Sequence, residues 1–184
     1  MPVGLPELTG SLNMGELLEH YPGARRALFR NFHIGGCSQC GFSDDESLKV
    51  VCERNEQIDL MPVFDAIRKA HEDDEKLLID PSALKTWRSD NKSHLLIDTR
   101  SREEHEAVTI EGSVLLNQDL STELINAAET DVLPLVFFDH QGRYVLDTAS
   151  YFIGHGREFV YCLQGGIDRW ARDIDKNMRR YHLE

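Results

Sequence analysis

Two kinds of hydrophobic patterning divide this chain. From residue 13 to 71, apolar positions recur at spacings of three and four, the period of amphipathic helices. Asn13, three residues before Glu16, forms a capping-box pattern that predicts a helix over Met14–His20. Ala24, Ala27, Leu28 and Phe32 predict a second over Pro22–Asn31, with proline in the first turn and Gly35-Gly36 beyond its end. Ser43 and Glu46 repeat the capping pattern ahead of a helix over Asp44–Arg54, with Leu48 and Val51 inward. Leu60, Val63, Phe64 and Ile67 share one face of a helix over Leu60–His71.

From residue 77 the pattern changes. Short apolar runs at Leu77–Ile79, His94–Asp98, Val114–Leu116, Leu135–Phe138 and Phe159–Leu163 read as strands. Helices are predicted between and after them, from Asp80 through Trp87 and over Arg102–Ala107, Thr122–Ala128, Val145–Gly154 and Ile167–Asp173. An unbroken run such as Leu135–Phe138 suits a strand buried on both faces of a parallel sheet. The expected organisation is a small all-α domain over 1–71, a charged linker over 72–76 and an α/β domain over 77–184. The last is expected to be a small doubly wound five-stranded parallel sheet.

Composition narrows the function classes. Hydrophobic residues make up 41% of the 184, enough for a packed core. The formal net charge of -12 argues against nucleic-acid binding and against adhesion to anionic membranes, both of which need a basic face. The chain has no apolar run of the ~18–20 residues that span a bilayer, and its first residues lack the basic and apolar regions of a secretory signal. A cytoplasmic protein is expected. Cys37, Cys40, Cys52 and Cys162 are too few and too irregular for a disulfide scaffold, so a reducing compartment is expected.

Cys37-Ser38-Gln39-Cys40 lies in a loop ahead of a predicted helix, where backbone N–H groups and the helix dipole favour a thiolate. Three readings stay open. The pair can cycle between dithiol and disulfide. It can supply two ligands to zinc or an iron–sulfur cluster, completed by Cys52 or His33 or by the same pair of a second subunit in a homodimer. Or both residues are small side chains packed in a tight turn. Cys52, on a helix face, reads first as a buried small hydrophobe. The segment Asn13–Ala70, with a helix ending at Tyr21-Pro22, a CxxC loop and an acidic-capped helix, resembles the hybrid-cluster-protein-associated redox-disulfide domain. That resemblance implies that Cys37 and Cys40 are the functional pair.

The second domain carries two further motifs. LLIDTRSREEHEAVTIEGSVLL places Asp98, Arg100, Glu104, Ile110 and Gly112, and FVYCLQGGIDRW places Leu163, Gly165, Gly166 and Trp170, in the register of the rhodanese-like family, which residues 77–181 resemble. Arg179-Arg180-Tyr181 resembles the tail of some bacterial members. Val108-Thr109 stands where the family has a glycine-histidine step. Physically, Asp98 and Arg100 are expected to tie loops together by charge-assisted hydrogen bonds, Gly165-Gly166 to make a tight turn with positive φ, and Trp170 to anchor the core.

The resemblance also locates an active-site loop at Asp139, His140, Gln141, Gly142, Arg143 and Tyr144, directly after the Leu135–Phe138 run. Active family members begin this loop with a cysteine that accepts sulfane sulfur, cradled by backbone N–H groups. Here Asp139 takes that position, Gly142 matches the family glycine, and Tyr144 and Val145 fall where an arginine and a serine are usual. The resemblance thus implies a domain without thiosulfate sulfurtransferase activity. Cys162, in a buried strand, is no substitute nucleophile. The expectation is an accessory protein of sulfur or redox metabolism that docks a protein partner. Two alternatives remain: a sulfur relay using Cys37 or Cys40, and a metal or iron–sulfur protein.

Overall fold

The structure is a computed structural model, and it describes residues 5–35, 41–127 and 133–181. The chain forms two compact units, Met1–Lys76 and Leu77–Glu184.

The first unit is helical: α1 (Met14–His20), α2 (Ala24–Phe32), α3 (Leu48–Arg54) and α4 (Leu60–Glu75). Its core gathers Met14, Leu17, Leu28, Leu48, Val51, Cys52, Val63 and Ile67, positions that the helical period turns inward, with Ile34 from the turn after α2. Asn13 caps α1 by accepting from the Glu16 amide at 2.8 Å. α3 starts later than the Ser43–Glu46 pattern predicts. Residues 44–49 instead pair with residues 10–15, through Met14 N–H to the Glu46 carbonyl (2.9 Å), Gly15 N–H to Asp44 (2.9 Å) and Leu48 N–H to Leu12 (2.9 Å). Ser47 then becomes the cap. Tertiary pairing of backbone has overridden a local cap.

The charged run over 72–76, expected as a linker, is helical through Glu75. α4 continues through Glu75 because Asp74 turns inward to an ion pair with Arg26 of α2, and Lys76 pairs with Asp73 at 2.7 Å. An acidic run that reads as solvated from the sequence is held in the last helical turn by these cations.

The second unit is α/β, with β1 (Leu78–Ile79), α5 (Pro81–Ser89), β2 (Leu95–Asp98), α6 (Arg102–Ala107), β3 (Val114–Leu115), α7 (Gln118–Asn126), β4 (Leu135–Phe138), α8 (Val145–Gly154), β5 (Val160–Leu163) and α9 (Gly166–Asp173). All pairings are parallel, in the order β1-β5-β4-β2-β3. α7 begins four residues before the predicted helix because the Asn117 side chain caps it at the Leu120 amide (2.8 Å).

Both faces of the sheet are covered. Successive residues of a strand point to opposite faces. Leu135 and Phe137 pack with Val145, Leu146, Ala149 and Phe152 of α8, whereas Val136 and Phe138 pack with Leu84 of α5 and Ile167 and Trp170 of α9. β4 lies at the centre of the sheet and is buried along its whole length. The chain leaves β2 toward β3 on one side and leaves β4 toward β5 on the other. The carboxyl ends of β2 and β4 therefore diverge at a topological switch point, where open α/β sheets form their crevice.

Phe137 is fully buried, with its ring 4.9 Å from that of Phe152. Phe137→Ala is expected to destabilise the second unit by roughly 3–5 kcal/mol, read as a lowered urea midpoint at unchanged slope.

Candidate functional site

The β4–α8 loop is organised by a carboxylate. Asp139 follows the last residue of β4 and is only 8% exposed. One carboxylate oxygen accepts the backbone N–H of Gly142, and the other accepts that of Val145 at 2.9 Å. Val145 is the first residue of α8, and Tyr144, the residue before it, makes no side-chain cap. Asp139 thus caps that helix from six residues upstream, where the dipole favours a negative charge.

Glycine is required here for steric reasons. Gly142 has φ +79°, and a Cβ on it would lie 2.7 Å from the Gly165 nitrogen and 2.9 Å from the Leu163 carbonyl oxygen. Gly166, at φ +58°, is equally tight against the backbone of Asp139 and His140. The β5–α9 turn therefore presses on the β4–α8 loop. It also bonds to it, through Ile167 N–H to the Asp139 carbonyl (3.0 Å) and Asp168 N–H to the His140 carbonyl (3.1 Å).

The neighbouring β2–α6 loop is fixed by a buried ion pair. Arg100 donates through Nε to Asp98 Oδ1 (2.9 Å) and through Nη2 to Asp98 Oδ2 (2.5 Å), with both side chains sealed from solvent. Arg100 Nη2 also donates to the Val108 carbonyl (2.8 Å) and Nη1 to the Tyr181 hydroxyl (2.6 Å). That hydroxyl donates to Glu104 Oε1 at 2.7 Å. His105 Nδ1 lies 2.9 Å from Asp98 Oδ2, and Thr109 donates to the same oxygen at 3.2 Å. Burial opposes ionisation of Asp98, but the Arg100 and His105 hydrogen bonds outweigh it and hold its pKa below the usual carboxylate range. Glu104 is also held low: partial burial works against it, and the Tyr181 hydroxyl and the Ser101 amide prevail. Burial first, then the bond to Glu104, pushes the Tyr181 phenol up to about 12.

Between these loops lies a cavity of about 530 Å³, lined by Thr99, Arg100, Ser101 and Glu104 on one side and Asp139, His140, Gln141, Arg143, Tyr144 and Thr148 on the other. Tyr144 is 83% exposed at its rim. His140 is 6% exposed, and its Nδ1 has no hydrogen-bond partner among the described residues. The His140 ring lies 4.5 Å from that of Tyr181.

The structure thus gathers Asp139, His140, Gln141, Arg143 and Tyr144 around one cavity, while Gly142 turns away against Gly165 and Gly166. Cys37 and Cys40 lie outside the described residues. Cys52 sits in the core of the helical unit, where burial raises its thiol pKa. His33 is exposed in the left-handed C-cap of α2. Among the described residues, no group of three or more His, Cys, Asp or Glu could hold a metal ion, and no helix is long and apolar enough to cross a membrane. Cys162 is fully buried, with its thiol 3.8 Å from the Val145 carbonyl oxygen. Sequence reasoning assigned no role to Tyr181, which joins Arg100, Glu104 and His140. The sequence marks it only as part of the Arg179-Arg180-Tyr181 tail, because its contacts span about 40 to 80 residues of chain.

A parallel five-stranded sheet covered on both faces, with its cavity at the carboxyl ends of β2 and β4, is the architecture of the rhodanese-like fold. The model of the rhodanese-like domain matches residues 80–173, and the chain belongs to that family. It is 32% identical over 76 residues to the thiosulfate sulfurtransferase GlpE of Pseudomonas syringae pv. syringae, covering 41% of this chain and 71% of that protein. It is 30% identical over 76 residues to the enzyme of the same name from Pseudomonas fluorescens, covering 41% of this chain and 69% of that protein. The human single-domain sulfurtransferase TSTD1 is a similar solved structure, with 20% identity and a TM-score of 0.45 over 53% of this chain and 96% of that one.

Two outcomes follow for stability. Gly142→Ala is expected to cost at least about 1–3 kcal/mol from backbone strain alone, measured by chemical denaturation. Because the folded Tyr181 phenol titrates near 12 rather than 10, its stabilising contribution is complete below pH 10 and is lost as pH rises through 12. Wild type should therefore lose thermal stability relative to Tyr181→Phe as pH rises from 10 to 12.

Proposed function

We propose that this chain is an accessory protein of sulfur or redox metabolism in which the rhodanese-like domain has become a binding module and the Cys37–Cys40 pair carries the chemistry. Membership of the family and similarity to thiosulfate sulfurtransferases support the metabolic context. In the family register Asp139 occupies the place of the sulfur-accepting cysteine. A carboxylate oxygen cannot hold sulfane sulfur as a persulfide.

The observation that carries this reading is the pair of bonds from Gly142 N–H and Val145 N–H to the Asp139 carboxylate. Backbone donors that would cradle a substrate anion already hold an internal one. A second anion about 4 Å away meets a repulsion of roughly 4 kcal/mol at an effective dielectric of ~20, less where water screens it. Arg143 on the cavity rim offsets part of this. Cys162 offers no alternative nucleophile, being fully buried.

Two assays test the proposal on the full chain. Thiosulfate:cyanide sulfur transfer is expected to stay at the buffer rate. Turnover that persists in Cys37→Ser/Cys40→Ser protein would show that the Asp139 loop is active, and would sink the proposal. After incubation with a sulfane-sulfur donor, or with an oxidant, mass spectrometry is expected to place the added sulfur or the disulfide on Cys37 and Cys40. Labelling confined to Cys162, or none at all, would remove the CxxC pair from the chemistry.

A further inference from the structure

We infer that the cavity between the β2–α6 and β4–α8 loops binds an organic cation, a primary amine or guanidinium, in place of the anions that such a crevice would otherwise attract. This rests on the reading of the Asp139 loop as one without its nucleophile. It goes further by naming the ligand class.

Two backbone donors of the β4–α8 loop and the Arg100 guanidinium are committed inside the protein. Gly142 N–H and Val145 N–H both go to the Asp139 carboxylate. Arg100 directs Nε, Nη1 and Nη2 at Asp98, Tyr181 and Val108, and its charge is neutralised by a bidentate carboxylate. Acceptors, by contrast, remain. Glu104 takes one hydrogen bond from Tyr181 and one from the Ser101 amide, which leaves lone pairs on a carboxylate that can accept about four. Its lowered pKa keeps it ionised at neutral pH. The Thr99 hydroxyl donates to the Phe138 carbonyl, so its lone pairs are turned to other donors.

Two further observations point to a ligand. His140 is more than nine-tenths buried, lines the cavity, and has Nδ1 unpartnered among the described residues. Tyr144, 83% exposed at the rim, offers an aromatic face of the type over which ammonium and guanidinium groups settle. Arg143 also lines the cavity and opposes a cation, which makes it the internal control.

Calorimetric titration of the full chain with agmatine, with an arginine-containing hexapeptide and with sodium thiosulfate, all at fixed ionic strength, tests the inference. Saturable binding of agmatine, the peptide or both is expected, with no binding of thiosulfate. A peptide at least tenfold tighter than agmatine identifies a partner's basic segment as the source of the cation, and equal affinities identify a free amine. Glu104→Gln, which keeps one acceptor oxygen for the Tyr181 hydroxyl and removes the charge, should weaken cation binding by at least about fivefold. Arg143→Gln should tighten it. Tight thiosulfate binding, no binding of either cation, or affinities unchanged in Glu104→Gln and Arg143→Gln would each overturn the inference. Failure here leaves the sulfur-transfer assays untouched, since those report on Asp139 and the CxxC pair rather than on Glu104.

Discussion

The ion pair between Asp98 and Arg100 is the constraint around which the carboxyl end of the sheet is built. Two charges taken out of water cost several kcal/mol each unless their remaining hydrogen-bonding positions are filled. The fold fills them from several segments: His105 and Thr109 reach Asp98, while Val108 and Tyr181 reach Arg100. The pair therefore contributes less through its own attraction than through the loops it obliges to meet. The wall of the cavity on the β2 side and the docking of the C-terminal tail both follow from it.

The other wall is set by close approach of backbone. Gly142, Gly165 and Gly166 all have positive φ, and two of them would place a Cβ within 3 Å of neighbouring main chain. No side chain fits between the β4–α8 loop and the β5–α9 turn, which meet main chain to main chain. Within that frame the residue at position 139 decides what the loop can do. An aspartate there turns the N–H groups inward onto its own carboxylate. The same geometry that could stabilise a bound anion then serves to cap α8.

Much of this was legible beforehand. The five strands and the helices of the second unit fall where the change from helical to strand period puts them, and the two motifs around Asp98 and Gly165 identify the family. Boundaries went astray where tertiary contacts overrode local signals. α3 is shortened because residues 44–49 pair with the chain ahead of α1, and α4 is lengthened because Asp74 finds Arg26. Each case turns on partners about 30 to 50 residues away, which no window of local sequence contains.

The sequence by itself determined the two-part patterning, the parallel sheet with strands buried on both faces, and the identity of the residue that begins the β4–α8 loop. Those properties depend on hydrophobic period and on side-chain chemistry at single positions, and both are local. The tertiary structure alone decided that Tyr181 would bridge Arg100 and Glu104 and that the β2–α6 and β4–α8 loops would enclose one cavity. Hydrogen-bond satisfaction is a property of where groups meet, and Tyr181 meets Arg100 and Glu104 only once the fold has closed the long stretch of chain between them.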